Sequence, residues 1–233
     1  MRLQYSLHCE KQLLRMVQAI DLRAPYAMGH FQTVARYSVM IAQELDLSPQ
    51  MITTMHKAGM LHDIGKFWIP EEILIKPERL TDNEYNVMKY HPTIGAEVLS
   101  GFPSLQSVIP MVRYHHERYD GHGYPHGLKG EAIPLGARIL NVADTVEAIA
   151  SDRPYKKGLA PTKIVKILEE GAAFQFDERI VAAFLTAIYK QGLETISNPG
   201  QALKPAVISP ESFRILSSSL MDWLQLHRTG FAN

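Results

Sequence analysis

Apolar positions recur every three to four residues along most of the chain. Val34, Tyr37, Ile41 and Leu45 fall on one face of a helix. Ser48 and Pro49 supply an N-cap followed by a first-turn proline, which predicts a helix running on to His62. Thr81-Asp82-Asn83-Glu84 reads as a capping box and predicts a helix that passes through Tyr85, Met88 and His91. Another apolar-periodic stretch runs from Leu105 to Tyr114, and helix resumes through Ala137, Leu140, Ala143 and Ile149. Further helices are predicted after Pro161 and after Asp177. Between these lies residues 120–134, where Gly121, Gly123, Gly127 and Gly130 alternate with Pro125 and Pro134, so a loop is expected. No alternating strand pattern exceeds four or five residues and no internal repeat is present. The predicted fold class is all-α. From Asn198 to Pro210 the chain turns to Pro, Gly and Ser, a linker composition. Ser209-Pro210-Glu211 then caps a last helix carrying Phe213, Leu216, Leu220, Trp223 and Leu224, which packs back on the domain or pairs with a second subunit.

Composition narrows the classes. With 233 residues, 46% of them hydrophobic, the chain has material for one large core. Its 24 basic and 24 acidic residues cancel, so no global field directs it to polymeric nucleic acid or to an anionic membrane. The single cysteine, Cys9, excludes an internal disulfide and fits a reducing compartment. The most apolar run, Ile180 to Tyr189, is about half of the ~18 residues a membrane span requires. Charges interrupt the apolar residues of the N-terminus, unlike a secretory signal, so a cytoplasmic location is expected. The ten histidines are the compositional oddity.

Several of those histidines stand in suggestive places. His62-Asp63 joins an imidazole to a carboxylate whose two oxygens suit a bridge between metals about 3.5–4 Å apart. Alone, the pair is weak evidence, and a helix-end histidine beside a capping aspartate is the commoner reading of such a dipeptide. His115-His116 precedes the Gly-rich loop; consecutive helical residues diverge by about 100°, so both reach one ion only where a helix ends. A solvated polar helix end is the bland reading there. His30 and His91 adjoin Gly29 and Pro92 at element boundaries. Asp144 sits on an otherwise apolar helix, where a carboxylate is costly to bury unless a charge or metal compensates it.

As a set, these residues resemble the HD-GYP family of the HD phosphohydrolase superfamily. His62-Asp63 looks like its defining pair, and residues 115–125 match HHExxDGxGYP at all eight fixed positions. The resemblance spans about residues 13–185 and includes Leu61 to Lys66, Lys76-Pro77, His91-Pro92, Ala143-Asp144 and Asp152 to Tyr155. It implies an HD-domain helical bundle with a GYP loop, occupying residues 13–197 between an N-terminal helix extension (1–12) and the linker and C-terminal helix (198–233). It further implies a phosphodiesterase that hydrolyses cyclic di-GMP with a hydroxide shared by two divalent metals. One metal takes His30, His62, Asp63 and Asp144; the other shares Asp63 and takes His91, His115 and His116. A nitrogen and oxygen donor set suits iron or manganese and tolerates nickel, cobalt or zinc. Lys66 corresponds to a lysine that meets the scissile phosphate and can protonate the leaving 3′ oxygen. Tyr124 and Pro125 would line the ligand pocket, with Tyr124 stacked on a guanine, and Arg153 and Lys156 would meet the second phosphate and a base. Glu117, Asp120 and Gly121 would shape the loop.

The chain departs from the family pattern at three positions. Tyr26 stands where some members use a glutamate for a third metal, so two metals are expected, with linear pGpG as the product ahead of GMP. Ala24 replaces an aspartate and Glu147 stands where aspartate is usual, which leaves base specificity open and the metal set intact. Two alternatives remain at this point: hydrolysis of a mixed cyclic GMP-AMP, or a non-hydrolysing sensor. Protein partners would dock through the GYP loop or the C-terminal helix, the latter also offering a homodimer.

Overall fold

A computed structural model of the protein describes residues 13, 15–17, 19–20, 29–152 and 157–197. The sequence expectations for residues 1–12, for Ala24, Tyr26, Arg153 and Lys156, and for everything after 197 lie outside the described residues. Among the described residues the fold is all-helical: there is no strand, only an isolated bridge between Ala172 and Phe176. The main helices are α1 (His30–Glu44), α2 (Pro49–Leu61), α3 (Asp82–Met88), α4 (His91–Ser100), α5 (Ile109–Tyr114), α6 (Leu135–Ala150), α7 (Pro161–Gly171) and α8 (Glu178–Gln191). Among the described residues no helix is long and apolar enough to cross a membrane.

Local chemistry sets these boundaries. The Ser48 hydroxyl accepts the Met51 amide at 3.2 Å and caps α2 with Pro49 in its first turn. Thr81 and Glu84 complete the reciprocal capping box of α3, and the Asp177 carboxylate accepts the Arg179 amide at the head of α8. One expectation is corrected here: the helix beginning at Thr81 does not continue through His91. It stops at Met88, and His91 opens α4. The cause is Pro92, which has no N–H to donate to the Met88 carbonyl one turn back. Leu45 also falls just past the end of α1, half-buried, as its C-cap.

The core forms where α1 packs against α2, α6 and α8. Phe31, Val34, Tyr37 and Ile41 are buried on α1 and meet the buried faces of the others, including Leu140 and Val146 of α6 and Phe184 of α8. Tyr37 sets its ring edge-on to Phe184 and donates its hydroxyl to the Thr195 carbonyl at 3.0 Å. At Gly59 the α1–α2 contact is so close that a Cβ would stand 2.4 Å from the Ala35 Cα. That approach draws the C-terminal end of α2, and hence His62 and Asp63, against the start of α1.

Candidate metal centre

The seven candidate ligands come from five helices and meet at helix ends. His30 opens α1, His62 and Asp63 follow α2, His91 opens α4, and His115 and His116 follow α5. Asp144 alone projects from the middle of a helix, α6. His30, His62, Asp63, His91 and His115 are all buried.

They gather into two adjoining clusters, His30–His62–Asp144 and Asp63–His91–His115–His116, with donor atoms within 4.8 Å of one another in each. Asp63 faces both. Its Oδ2 lies 3.5 Å from His30 Nε2 and 3.4 Å from His62 Nε2, while its Oδ1 lies 3.0 Å from His91 Nε2 and 3.8 Å from His115 Nε2. Asp144 Oδ1 completes the first cluster, 3.6 Å from His30 Nε2 and 3.8 Å from His62 Nε2.

A shared device orients three of the imidazoles. His62 Nδ1 donates to the Gly59 carbonyl at 2.8 Å, His91 Nδ1 to Met88 at 2.7 Å and His115 Nδ1 to Val112 at 2.7 Å. Each acceptor lies three residues back, at a helix end where carbonyls lack intrahelical partners. With the proton committed to Nδ1, Nε2 presents a lone pair to the cluster, the state in which imidazole binds a metal. The Met88 carbonyl is the one that Pro92 leaves without a helical donor.

His30 is oriented differently. Its Nδ1 meets Glu147 Oε2 at 2.5 Å, and Glu147 Oε1 in turn accepts the Ser151 hydroxyl at 2.6 Å. Glu147, which the sequence marks only as a departure bearing on base specificity, lies buried one turn past Asp144 on α6 and supports His30. Its spacing from Asp144 was the available signal, but only the packing of α6 on α1 sets it against His30.

The donor set fits cations. His30 Nε2 and His62 Nε2 face each other 3.2 Å apart, so a shared proton or a metal ion must lie between them. Among the described residues, Asp63 Oδ1, His91 Nε2 and His115 Nε2 are buried with no hydrogen-bond partner, the 3.0 Å approach of the first two lacking hydrogen-bond alignment. Burial alone would raise the Asp63 carboxyl, but Lys66, His62 and His91 hold it well below the usual carboxylate range. Burial would also lower His30, yet Asp63, Glu147 and Asp144 raise it to about 10. Burial brings His91 down to about 4 against the pull of Asp63, and pushes His116 down with help from His115 and His91.

A cavity of about 610 Å³ opens over the clusters, within the range of small-ligand sites. His30, Asp63, His91, His116 and Asp144 form its floor, and Lys66, Lys76, Arg79 and Tyr124 contribute to its walls. Lys66 lies on the 3₁₀ turn Ile64–Trp68 and folds back so that its Nζ donates to Asp63 Oδ2 at 2.5 Å. Tyr124 lines the cavity, whereas Pro125 is not among the lining residues. Instead of a bare platform, the Tyr124 ring stacks on His116, with centroids 4.9 Å apart and planes at 28°. The Glu117 carboxylate does shape the loop, accepting the His126 and Leu128 amides at 2.7 and 3.0 Å. Asp120 does so too, paired with Arg118 and accepting the His122 amide.

Among the described residues, an all-helical bundle thus gathers five histidines and two aspartates beneath an open cavity. The chain belongs to the HD domain family, which residues 15–180 match. It is 42% identical over 175 residues to the cyclic di-GMP phosphodiesterase response regulator RpfG of Xanthomonas campestris, covering 74% of this chain and 46% of that protein. Its identity to a cyclic di-GMP phosphodiesterase of Thermotoga maritima is 40% over 182 residues, covering 76% and 50%. To the 3′3′-cGAMP-specific phosphodiesterase 3 of Vibrio cholerae it is 33% over 169 residues, covering 72% and 37%. The chain thus spans half or less of the length of these relatives. Among solved structures, the cyclic GMP-AMP phosphodiesterase V-cGAP3 of Vibrio cholerae superposes with a TM-score of 0.60 over 91% of this chain and 59% of that one, at 16% identity, and so shares the fold.

Proposed function

We propose that the chain is a cyclic-dinucleotide phosphodiesterase that cleaves cyclic di-GMP to linear pGpG with two divalent metal ions. The observation that carries the reading is the division of Asp63, with one carboxylate oxygen toward each cluster of imidazoles. His30, His62, Asp63 and Asp144 would hold one ion, and Asp63, His91, His115 and His116 the other. Two ions so held supply an activated water nucleophile and neutralise charge on the phosphoryl oxygens. Donors of nitrogen and oxygen without thiolate favour iron or manganese.

The chain's own residues account for the rest of the chemistry. The buried carbonyls behind His62, His91 and His115 fix the rings, so no reorganisation is required as charge develops. Lys66, half-exposed on the cavity wall, carries a proton at Nζ within reach of the leaving 3′ oxygen, and Asp63 holds it in position. Arg79 adds positive charge to the cavity wall, suited to a phosphate-bearing substrate, whereas the Lys76 ammonium is engaged by the Glu84 carboxylate at 2.7 and 2.8 Å. A cytoplasmic location fits a second-messenger substrate and the single cysteine.

The test is hydrolysis of cyclic di-GMP by metal-loaded protein with products resolved, wild type against Asp63→Ala. Formation of pGpG by wild type and loss of at least ~10³-fold in rate with Asp63→Ala are expected, because one substitution removes a ligand from both ions. An unimpaired variant would sink the mechanism. A second reading, hydrolysis of cyclic GMP-AMP, is favoured by the kinship with the Vibrio cholerae enzyme. Parallel assays on the two dinucleotides decide between them.

A further inference from the structure

We infer that the Tyr124 ring is a positioning group for His116, the support that keeps this imidazole facing its cluster. The inference rests on the dinuclear reading above. Four of the five clustered histidines are tied through Nδ1: His62, His91 and His115 to backbone carbonyls and His30 to Glu147. A ring tied in this way cannot rotate about its own axis. His116 differs, because its ring makes no hydrogen bond among the described residues.

Aromatic packing holds it instead. The His116 ring lies 4.0 Å from that of His115 and 5.0 Å from that of His91, nearly perpendicular to the latter, and stacks on Tyr124 at 4.9 Å. His115 and His91 belong to the same cluster, so Tyr124 is the ring that braces His116 from outside it. A near-parallel aromatic face supports a planar ring without claiming either of its nitrogens. The face of Tyr124 turned to His116 is therefore closed to a nucleobase, and its other close ring neighbour is Tyr85, edge-on at 6.4 Å.

The loop delivers Tyr124 to this place through its backbone. The Tyr124 amide donates to the His116 carbonyl at 3.2 Å. Gly123 lies so close to the preceding turn that a Cβ there would meet the Arg118 nitrogen at 2.2 Å. Glu117 then fixes the far side of the loop by accepting the His126 and Leu128 amides. These restraints do not use the tyrosine side chain, so the loop keeps its course when the ring is removed.

The experiment titrates metal-free wild type, Tyr124→Phe and Tyr124→Leu with Co²⁺, following the visible absorption of the bound ion, with thermal unfolding of each apoprotein by circular dichroism alongside. Wild type and Tyr124→Phe are expected to take up two ions. Tyr124→Leu should take the first with unchanged affinity and the second about tenfold or more weakly, the loss typical of removing a ligand's supporting partner. Tyr124→Met, which fills similar volume without a planar face, repeats the test should the leucine variant not fold. Wild-type affinity for both ions in the leucine or methionine variant overturns the inference. A Tyr124→Phe variant as weak as Tyr124→Leu overturns it too, since that outcome transfers the role to the hydroxyl. If wild type itself takes up only one ion, the dinuclear reading falls, independently of any change at Tyr124.

Discussion

At the scale of single residues, His30 and Asp63 carry opposite electrostatic burdens in one small volume. Asp63 stays ionised although buried, because Lys66, His62 and His91 surround it. His30 is buried beside Asp63, Glu147 and Asp144, and their pull overcomes burial and raises it from 6.5 to about 10 in the metal-free protein. Its sign follows directly. Below about 10 the metal-free site holds a proton on His30 that a cation must displace, so metal affinity rises with pH up to that value and levels off above it. Calorimetric titration with Mn²⁺ in two buffers of different ionisation enthalpy at pH 7.5 should show about one proton released per ion at this cluster. In Glu147→Gln the release shrinks, because the carboxylate that holds the proton on His30 is gone. Equal release by wild type and variant would remove Glu147 from this role.

At the scale of elements, the site is a set of helix ends. A helix leaves its last carbonyls without donors, and His62 and His115 turn such a group into a fixed tautomer. Pro92 creates an equivalent acceptor at Met88 by withholding its own N–H. These ends are held in register by close packing, most tightly where Gly59 of α2 meets Ala35 of α1. Gly59→Ala places a methyl group where backbone already stands, with its Cβ 2.4 Å from the Ala35 Cα, so the two helices must separate. A loss of about 1–3 kcal/mol in urea unfolding is expected, with weakened metal binding because His62 moves away from His30. Wild-type stability in this variant would mean that the two helices accommodate the methyl group without separating.

At the scale of the whole molecule, the clusters join α1, α2, α4, α5 and α6, elements whose candidate ligands stand more than a hundred residues apart between His30 and Asp144. Ions bound there would act as cross-links present only in the folded state. Saturation at a hundredfold excess over Kd should stabilise the fold by about 2.7 kcal/mol per site. Chelation should accordingly lower the unfolding temperature of metal-loaded protein, and addition of Mn²⁺ should restore it. An unfolding temperature indifferent to both treatments would contradict a metal site that spans the core.

The family resemblance supplied the identities of the clustered histidines and aspartates; by itself, the local sequence determined the helical periods, the caps at Ser48 and Thr81, and the loop of residues 120–134. Those features are local: each follows from neighbours within a few positions, or from a motif with fixed spacing. Only the tertiary structure decided that Asp63 divides its two oxygens between clusters, that Glu147 belongs to His30, and that the ring of Tyr124 rests on His116. It also decided that the helix from Thr81 stops before His91, because Pro92 outweighs the capping box that opened it. Such facts depend on which face of one helix meets which end of another. Hydrogen-bond direction and ring stacking are properties of that packing, and no spacing along the chain encodes them.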